Sequence, residues 1–380
     1  GACSRICAHG APTIENGKAT IDHNKCVGCG KCIKVCPYNA IMKLARSCAR
    51  VCGMNAIKSD EYGRADIDYD MCVSCGMCLA NCPFGAIADK AQIFQLIQAI
   101  KGDTPVYAAI APAVSTQFGK DMTPGKLRSA FKKLGFEDIM EVAIGADLCT
   151  LSEARDFVNE VPNKIPFMGT SCCPSWAAMA KKLYPEQAEF ISMALTPMVL
   201  TGRLLKKMHP GCKVAFIGPC AAKKLEASRR TVRSDIDFVL TFEEVMGMFE
   251  ARDVDFEALE ESEVMHGGSA DGRGFAVSGG VADAVVNAIH EMYPDYGEVK
   301  VERANGLAEC RKMLTLAKAG KYNGYLLEGM GCPGGCVAGA GTLAPVEGSA
   351  RDIQDHKKKS TIKSAYESDY QHWLDILEEK

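Results

Sequence analysis

No run of about eighteen apolar residues occurs in this 380-residue chain, so no stretch is long enough to cross a bilayer as a helix. The opening GACSRICAHG lacks the apolar core of a secretory signal. A cytoplasmic protein without membrane contact is therefore expected. It opens on Gly rather than Met, so residues are expected to precede it. An excess of one charge is also missing: 44 Lys and Arg face 47 Asp and Glu, a formal net charge of −3. That balance gives no support for nucleic-acid binding. Nucleotide loops are absent, because GGSADGRG (267–274) has neither G-x-G-x-x-G after a strand nor the lysine of a P-loop. The seven histidines are scattered, none with a partner at ligand spacing.

What the chain has instead is cysteine. It holds 20, many in dense C-x-x-C arrays that suit metal better than a disulfide scaffold. CVGCGKCIKVCP places Cys26, Cys29, Cys32 and Cys36 in C-x2-C-x2-C-x3-C-P spacing, and CVSCGMCLANCP repeats it with Cys72, Cys75, Cys78 and Cys82. Such spacing wraps three thiolates around one [4Fe–4S] cubane and sends the fourth to its neighbour. Zinc ribbons use C-x2-C pairs without the third cysteine or the terminal C-P. Two cubanes are expected, one on Cys26, Cys29, Cys32 and Cys82, the other on Cys72, Cys75, Cys78 and Cys36. Four cysteines remain in two i, i+4 pairs, CSRIC (Cys3, Cys7) and CARVC (Cys48, Cys52), which share a helix face. A third [4Fe–4S] on these four is the preferred reading, with free or incidentally paired thiols as the alternative. CGMNAI (52–57) echoes CPYNAI (36–41) and CPFGAI (82–87), a degenerate internal repeat.

The texture changes near Asp89. AQIFQLIQAI (91–100) reads as an amphipathic connecting helix, after which apolar strand-like runs alternate with helix-period segments. Alternation of this kind implies an α/β domain with a mostly parallel sheet. Ligands gather at the carboxyl ends of its strands, and FMGTSCC (167–173), FIGPC (216–220) and LLEGMGC (326–332) each follow an apolar run directly. They are expected to meet in space. The expected organisation is a small α+β bacterial-ferredoxin-like domain over 1–90, a catalytic domain over 91–355 and a tail over 356–380, read as a charged linker and a packing helix.

TSCCPSW (170–176), PCAAKKLE (219–226) and EGMGCPGGCVAGAG (328–341) occur in the order found in the [FeFe] hydrogenases, and the chain resembles that family from AIAPAV (109–114) to YLLEGM (325–330). The resemblance implies two parallel-sheet lobes flanking an H-cluster: a [4Fe–4S] joined through one cysteine to a diiron unit with CO, cyanide and a bridging azadithiolate. It implies reversible reduction of protons to H2, electrons relayed by the N-terminal cubanes to or from a ferredoxin-type carrier, and maturation proteins as partners. By the same resemblance Cys173, Cys220, Cys332 and Cys336 hold the cubane, Cys336 bridges to the diiron unit, and Cys172 is a protonated thiol exchanging protons with the bridging amine.

Lys223 then donates to a cyanide, Met330 packs on the bridging-carbonyl side, Pro112 and Ala113 cup the other cyanide, and Phe275 shields the pocket. Glu153, Ser192 and Asp156 form the implied proton path to the surface. Cys149, Cys212 and Cys310 have no motif partners and read as buried inert thiols. Two departures resemble the branch called group B: Gly218 stands where most members have methionine, and Ala340 interrupts the usual glycine triplet. Gly218 is expected to loosen packing beside the diiron unit. Two other functions remain in view, a non-enzymatic assembly protein resembling the prelamin-recognition-factor-like relatives, and a hydrogen sensor. The former do not keep the full catalytic pocket, and sensor branches often lose the thiol equivalent to Cys172.

Overall fold

Contacts within the fold group residues differently from the change of texture near Asp89. The computed structural model describes residues 1–42, 46–263 and 267–378, and it separates into two compact units, Gly1–Arg50 and Val51–Lys380. In the smaller unit a short helix, Ala2–Ile6, precedes an antiparallel hairpin of β1 (Pro12–Glu15) and β2 (Lys18–Ile21). Its turn is Asn16–Gly17 with φ of 51° and 76°, the left-handed pair that suits the twist of a tight hairpin. The first cysteine motif follows, with one helical turn at Lys31–Lys34 entered through Gly30.

The larger unit opens with a second hairpin, β3 (Ile57–Ser59) and β4 (Ala65–Ile67), and then the second cysteine motif, again entering a single turn, Met77–Ala80, through a left-handed Gly76. Residues 51–90 belong here because Met54, Ala56 and Val73 are buried in one cluster with Phe167, Trp176 and Leu307. Each such apolar side chain stabilises by about 1.5–3 kcal/mol. Lys182 Nζ also donates to the carbonyls of Tyr69 and Cys72, at 3.1 and 2.8 Å.

Two parallel sheets follow. β5 (Val106–Ile110), β6 (Asp138–Glu141), β8 (Lys213–Ile217) and β9 (Phe238–Leu240) form one in the order β6-β5-β8-β9, with β7 (Phe167–Gly169) diverted to the other. That second sheet orders β10 (Lys300–Asn305), β11 (Tyr325–Met330) and β7 as β10-β11-β7. VYAAI and KVAFI are near-continuous apolar runs, as strands covered on both faces require. The chain passes from β5 to β6 on one side and returns in β8 on the other, so the β5–β8 boundary is a topological switch point where loops diverge and leave a crevice.

The helix Val142–Glu160 runs through the centre, with residues on every face buried from Val142 to Ala154. Gly145 lets the helix Pro197–Met208 approach it: a Cβ there would stand 2.3 Å from the Pro197 carbonyl oxygen and from Thr201 Oγ1. Such a helix carries any polar side chain it bears into the interior. The expected charged linker at DHKKK is instead the last turns of a helix, Val346–Lys359. The tail beyond it docks on the central helix, where Ser152 Oγ and Arg155 reach Glu378, each at 2.6 Å. Residues 379–380 of the tail lie outside the described residues. Among those described, no helix is long and apolar enough to cross a membrane.

Candidate functional site

The segments after β5, β7, β8 and β11 converge on one cavity. Cys172, Cys173, Cys220, Cys332 and Cys336 all line it, although they come from three loops far apart in the chain. The turns that bring them in are short and backbone-driven. Thr170 N–H donates to the Leu327 carbonyl at 3.0 Å, extending the β7–β11 ladder to the first motif. Cys173 and Cys220 each stand at the N-cap of a helix, Pro174–Leu183 and Ala221–Ala227, and the Ala222 and Lys223 amides face the Cys220 thiol. Gly331 N–H lies 3.4 Å from Cys173 Sγ. Gly335 (φ 94°) cannot be replaced, because a Cβ would meet Ser278 N at 2.6 Å; the loop closes on the cavity only as bare backbone.

Electrostatics say what the four thiols need. Burial first, then Cys173, pushes Cys220 up to about 11, and burial, then Cys220 and Cys173, pushes Cys336 up to about 12. Cys332 is raised further by burial and by Cys220, Cys173 and Cys336. Without a cation Cys220, Cys332 and Cys336 therefore stay protonated; positive iron in their midst reverses that. The donor set, the glycine-lined approach and the cavity all fit a thiolate-bound iron–sulfur group.

Around it stand the other expected residues. Pro112, Ala113, Lys223, Phe275 and Met330 line the same cavity. Phe275 and Met330 pack together in a small buried cluster against Cys172 and Cys173. Lys223 Nζ contacts Glu226 Oε2 at 2.6 Å and the Cys172 carbonyl at 3.3 Å. Burial works against its charge, but Glu226 outweighs burial and holds the ammonium above its ordinary pKa. The adjacent Lys224 turns away to Glu244 and Asp89, at 2.9 and 2.7 Å, so only one lysine of the pair serves the cavity. Cys172 is raised well above an ordinary thiol, by burial and then by Glu153 and Cys173, and remains S–H at any physiological pH.

Glu153 comes from the central helix. Its Oε1 accepts from Ser171 N–H at 2.6 Å, while Oε2 is buried with no hydrogen-bond partner. Burial pushes its carboxyl up to about 7, against the lowering effect of Ser171 and Ser192. Ser192 is anchored by its N–H to the Gly169 carbonyl at 2.7 Å. Asp156 is half-buried one helical turn from Glu153 and raised, chiefly by burial. Glu153 thus stands beside Ser171 and Ser192, with Asp156 one turn further along the same helix.

One expectation changes. Gly218 does not loosen the pocket: a Cβ there would stand 2.7 Å from the Phe216 ring and 2.9 Å from Ala111 Cβ, so the Phe216 ring, which lines the cavity, fills the space. Of the quartet Cys3, Cys7, Cys48 and Cys52, Cys7 lines a cavity with Cys26, Cys29 and Cys32 in the smaller unit, and Cys52 packs in the larger unit against the cluster that also receives Cys72 and Cys75. Ala56 N–H points at Cys52 Sγ, 3.3 Å away.

Several residues gave no signal. Glu328 on β11 accepts from Gly279 and Ala282 N–H, at 2.6 and 2.8 Å, and so caps the helix Gly280–Met292 from inside. Glu226 was legible as the i+3 neighbour of Lys223. Cys149, expected to be inert, lies 3.7 Å from Ser171 Oγ. The second cysteine motif adjoins the cavity: Ser175 Oγ donates to the Val73 carbonyl at 3.3 Å, and a Cβ on Gly76 would stand 2.6 Å from Ala340 Cβ.

A cavity where loops from two parallel sheets converge, lined by five cysteines and adjoined by the second cysteine motif, marks an iron–sulfur protein. The family profile for the iron-only hydrogenase large subunit, C-terminal domain, matches residues 104–340, and the chain belongs to that family. A 4Fe-4S binding domain matches 19–42 and a 4Fe-4S dicluster domain 45–86. Iron hydrogenase 1 of Clostridium pasteurianum is 30% identical over 376 residues, covering 85% of this chain and 64% of that protein. The periplasmic [Fe] hydrogenase large subunit of Nitratidesulfovibrio vulgaris is 32% identical over 367 residues, 84% and 85% of the two chains. The cytosolic iron-sulfur assembly component 3 of Rattus norvegicus is 26% identical and covers 69% of this chain and 68% of its own. A solved [FeFe]-hydrogenase of Chlamydomonas reinhardtii superposes with a TM-score of 0.61 at 20% identity, over 75% of this chain and 94% of that one, which shows the fold. This chain spans just under two thirds of the C. pasteurianum protein.

Proposed function

We propose that the chain is an [FeFe] hydrogenase that interconverts protons, electrons and H2, exchanging electrons with a ferredoxin-type carrier. The observation that carries this reading is the company Cys172 keeps. A protonated thiol, Lys223 and Met330 line one cavity with four further cysteines, and the carboxyl of Glu153 lies behind it with an oxygen left unpaired. When bound, the H-cluster supplies the redox chemistry at iron, held by Cys173, Cys220, Cys332 and Cys336. Cys172 holds a proton at Sγ on the cavity wall. Glu153, poised near neutral pH, takes protons up and gives them back, and Ser192 and Asp156 continue the path outward. Lys223 presents a cation fixed by Glu226 to anionic ligands, while Phe275 and Met330 exclude water. Electrons reach the cavity from the second cysteine motif, whose Gly76 presses against Ala340.

An iron–sulfur assembly role is the second reading, supported by likeness to the cytosolic assembly protein. Assembly work gives no reason for a proton-holding thiol beside an unpaired buried carboxyl. The test is Cys172→Ala in protein made with the maturation machinery: hydrogen evolution from reduced dye is lost while CO and cyanide infrared bands remain. Unchanged turnover in that variant refutes the proton role.

A further inference from the structure

A cubane needs four thiolates, one for each iron, and a C-x2-C-x2-C trio supplies three. The fourth comes from a loop that aims backbone amides at its sulfur. Four segments of this chain have that form: CAHGA (7–11), CPYNA (36–40), CGMNA (52–56) and CPFGA (82–86). Ala40, Ala56 and Ala86 N–H lie 3.4, 3.3 and 3.3 Å from Cys36, Cys52 and Cys82 Sγ, and the amides of Ala11 and His9 reach Cys7 in the same way. Four like loops thus compete for two complete trios.

We propose that Cys7 and Cys52, and not Cys82 and Cys36, supply the fourth thiolates of the two N-terminal cubanes. Cys7 lines one cavity with Cys26, Cys29 and Cys32. Cys52 packs against the same buried cluster as Cys72 and Cys75. Each trio finds its fourth sulfur within its own compact unit, so each site is complete there. Cys36 is not among the residues that line the cavity shared by Cys7, Cys26, Cys29 and Cys32. The prolines after Cys36 and Cys82 therefore mark the loop type, not the ligand; Ala8 and Gly53 follow the sulfurs that ligate.

This assignment deepens the electron-relay part of the function proposed above and needs only its [4Fe–4S] content. The test uses the full chain, made without the diiron maturation proteins and reconstituted anaerobically with ferrous iron and sulfide. Iron is counted, and the dithionite-reduced protein is examined by electron paramagnetic resonance. Cys7→Ala and Cys52→Ala each lose about four irons and one [4Fe–4S] signal, while Cys36→Ala and Cys82→Ala keep the parent values. Losses that follow Cys36 and Cys82 instead overturn the proposal. Cys7→Ser and Cys52→Ser guard against misfolding: an oxygen ligand retains the cluster with shifted g-values, and an unshifted spectrum overturns the assignment. Absence of infrared CO and cyanide bands after maturation sinks the hydrogenase reading and leaves these ligands standing; the reversed cysteine pattern does the opposite.

Discussion

Replacing Glu153 by Gln removes one ionisable group from the interior while keeping its shape. The carboxyl titrates at about 7 in the folded chain against an ordinary 4.5, because it is buried on the central helix. Its folded-state pKa is raised, so the folded chain binds the proton more tightly than the unfolded one. That contribution is fully present below 4.5 and is lost as pH rises towards 7. At 1.36 kcal/mol per pH unit the full loss is about 3 kcal/mol, of which about 2 kcal/mol falls between pH 5.5 and 8. Glu153→Gln lacks this slope. Anaerobic urea unfolding of the matured protein and the variant should therefore diverge with pH, the variant gaining about 2 kcal/mol on the parent from pH 5.5 to 8. Hydrogen evolution should move the other way, falling by about two to four orders of magnitude with the infrared bands kept. Parallel stability profiles, or a variant with full turnover, refute the placing of this carboxyl as a buried proton carrier.

Lys223→Met leaves Glu226 buried without its cation and should cost about 3–5 kcal/mol; adding Glu226→Gln should restore much of that in a denaturation series. Phe216→Ala empties the space over Gly218 and should cost about 3–5 kcal/mol, with faster inhibition by added CO as the kinetic sign of a wider approach. Gly218→Met in the parent should also destabilise, by about 1–3 kcal/mol, whereas the same change made in Phe216→Ala should be tolerated. Gly329→Ala should fail to accumulate as folded protein, since its Cβ would stand 2.2 Å from the Trp176 ring.

Much of this was legible because the strongest signals are local. The α/β alternation, the strand ends and the three cysteine loops follow from apolar runs and spacing, and β5, β8 and β11 fall where the runs predict them. The hidden parts are long-range. Nothing in FIGPC reveals that the Phe216 ring turns back over Gly218, since that depends on Ala111, the residue after β5. Residues 51–90 are short and irregular, and nothing in their sequence reveals that Met54, Ala56 and Val73 pack with Trp176 and Leu307 of the larger unit. In the tail the DHKKK stretch was misread because a Lys run looks solvated, whereas it closes the helix Val346–Lys359; the expected packing helix is present at Leu374–Glu378 with Leu374 and Leu377 buried.

The central claim is that the cysteine-lined cavity carries a diiron unit beside a cubane, with Cys172 unmetallated. An infrared spectrum of the anaerobically matured full chain tests it most directly. Sharp bands from terminal CO and cyanide, unchanged in number when Cys172 becomes Ala, are the predicted result. A spectrum without such bands, from protein that has nonetheless filled its [4Fe–4S] sites, contradicts it.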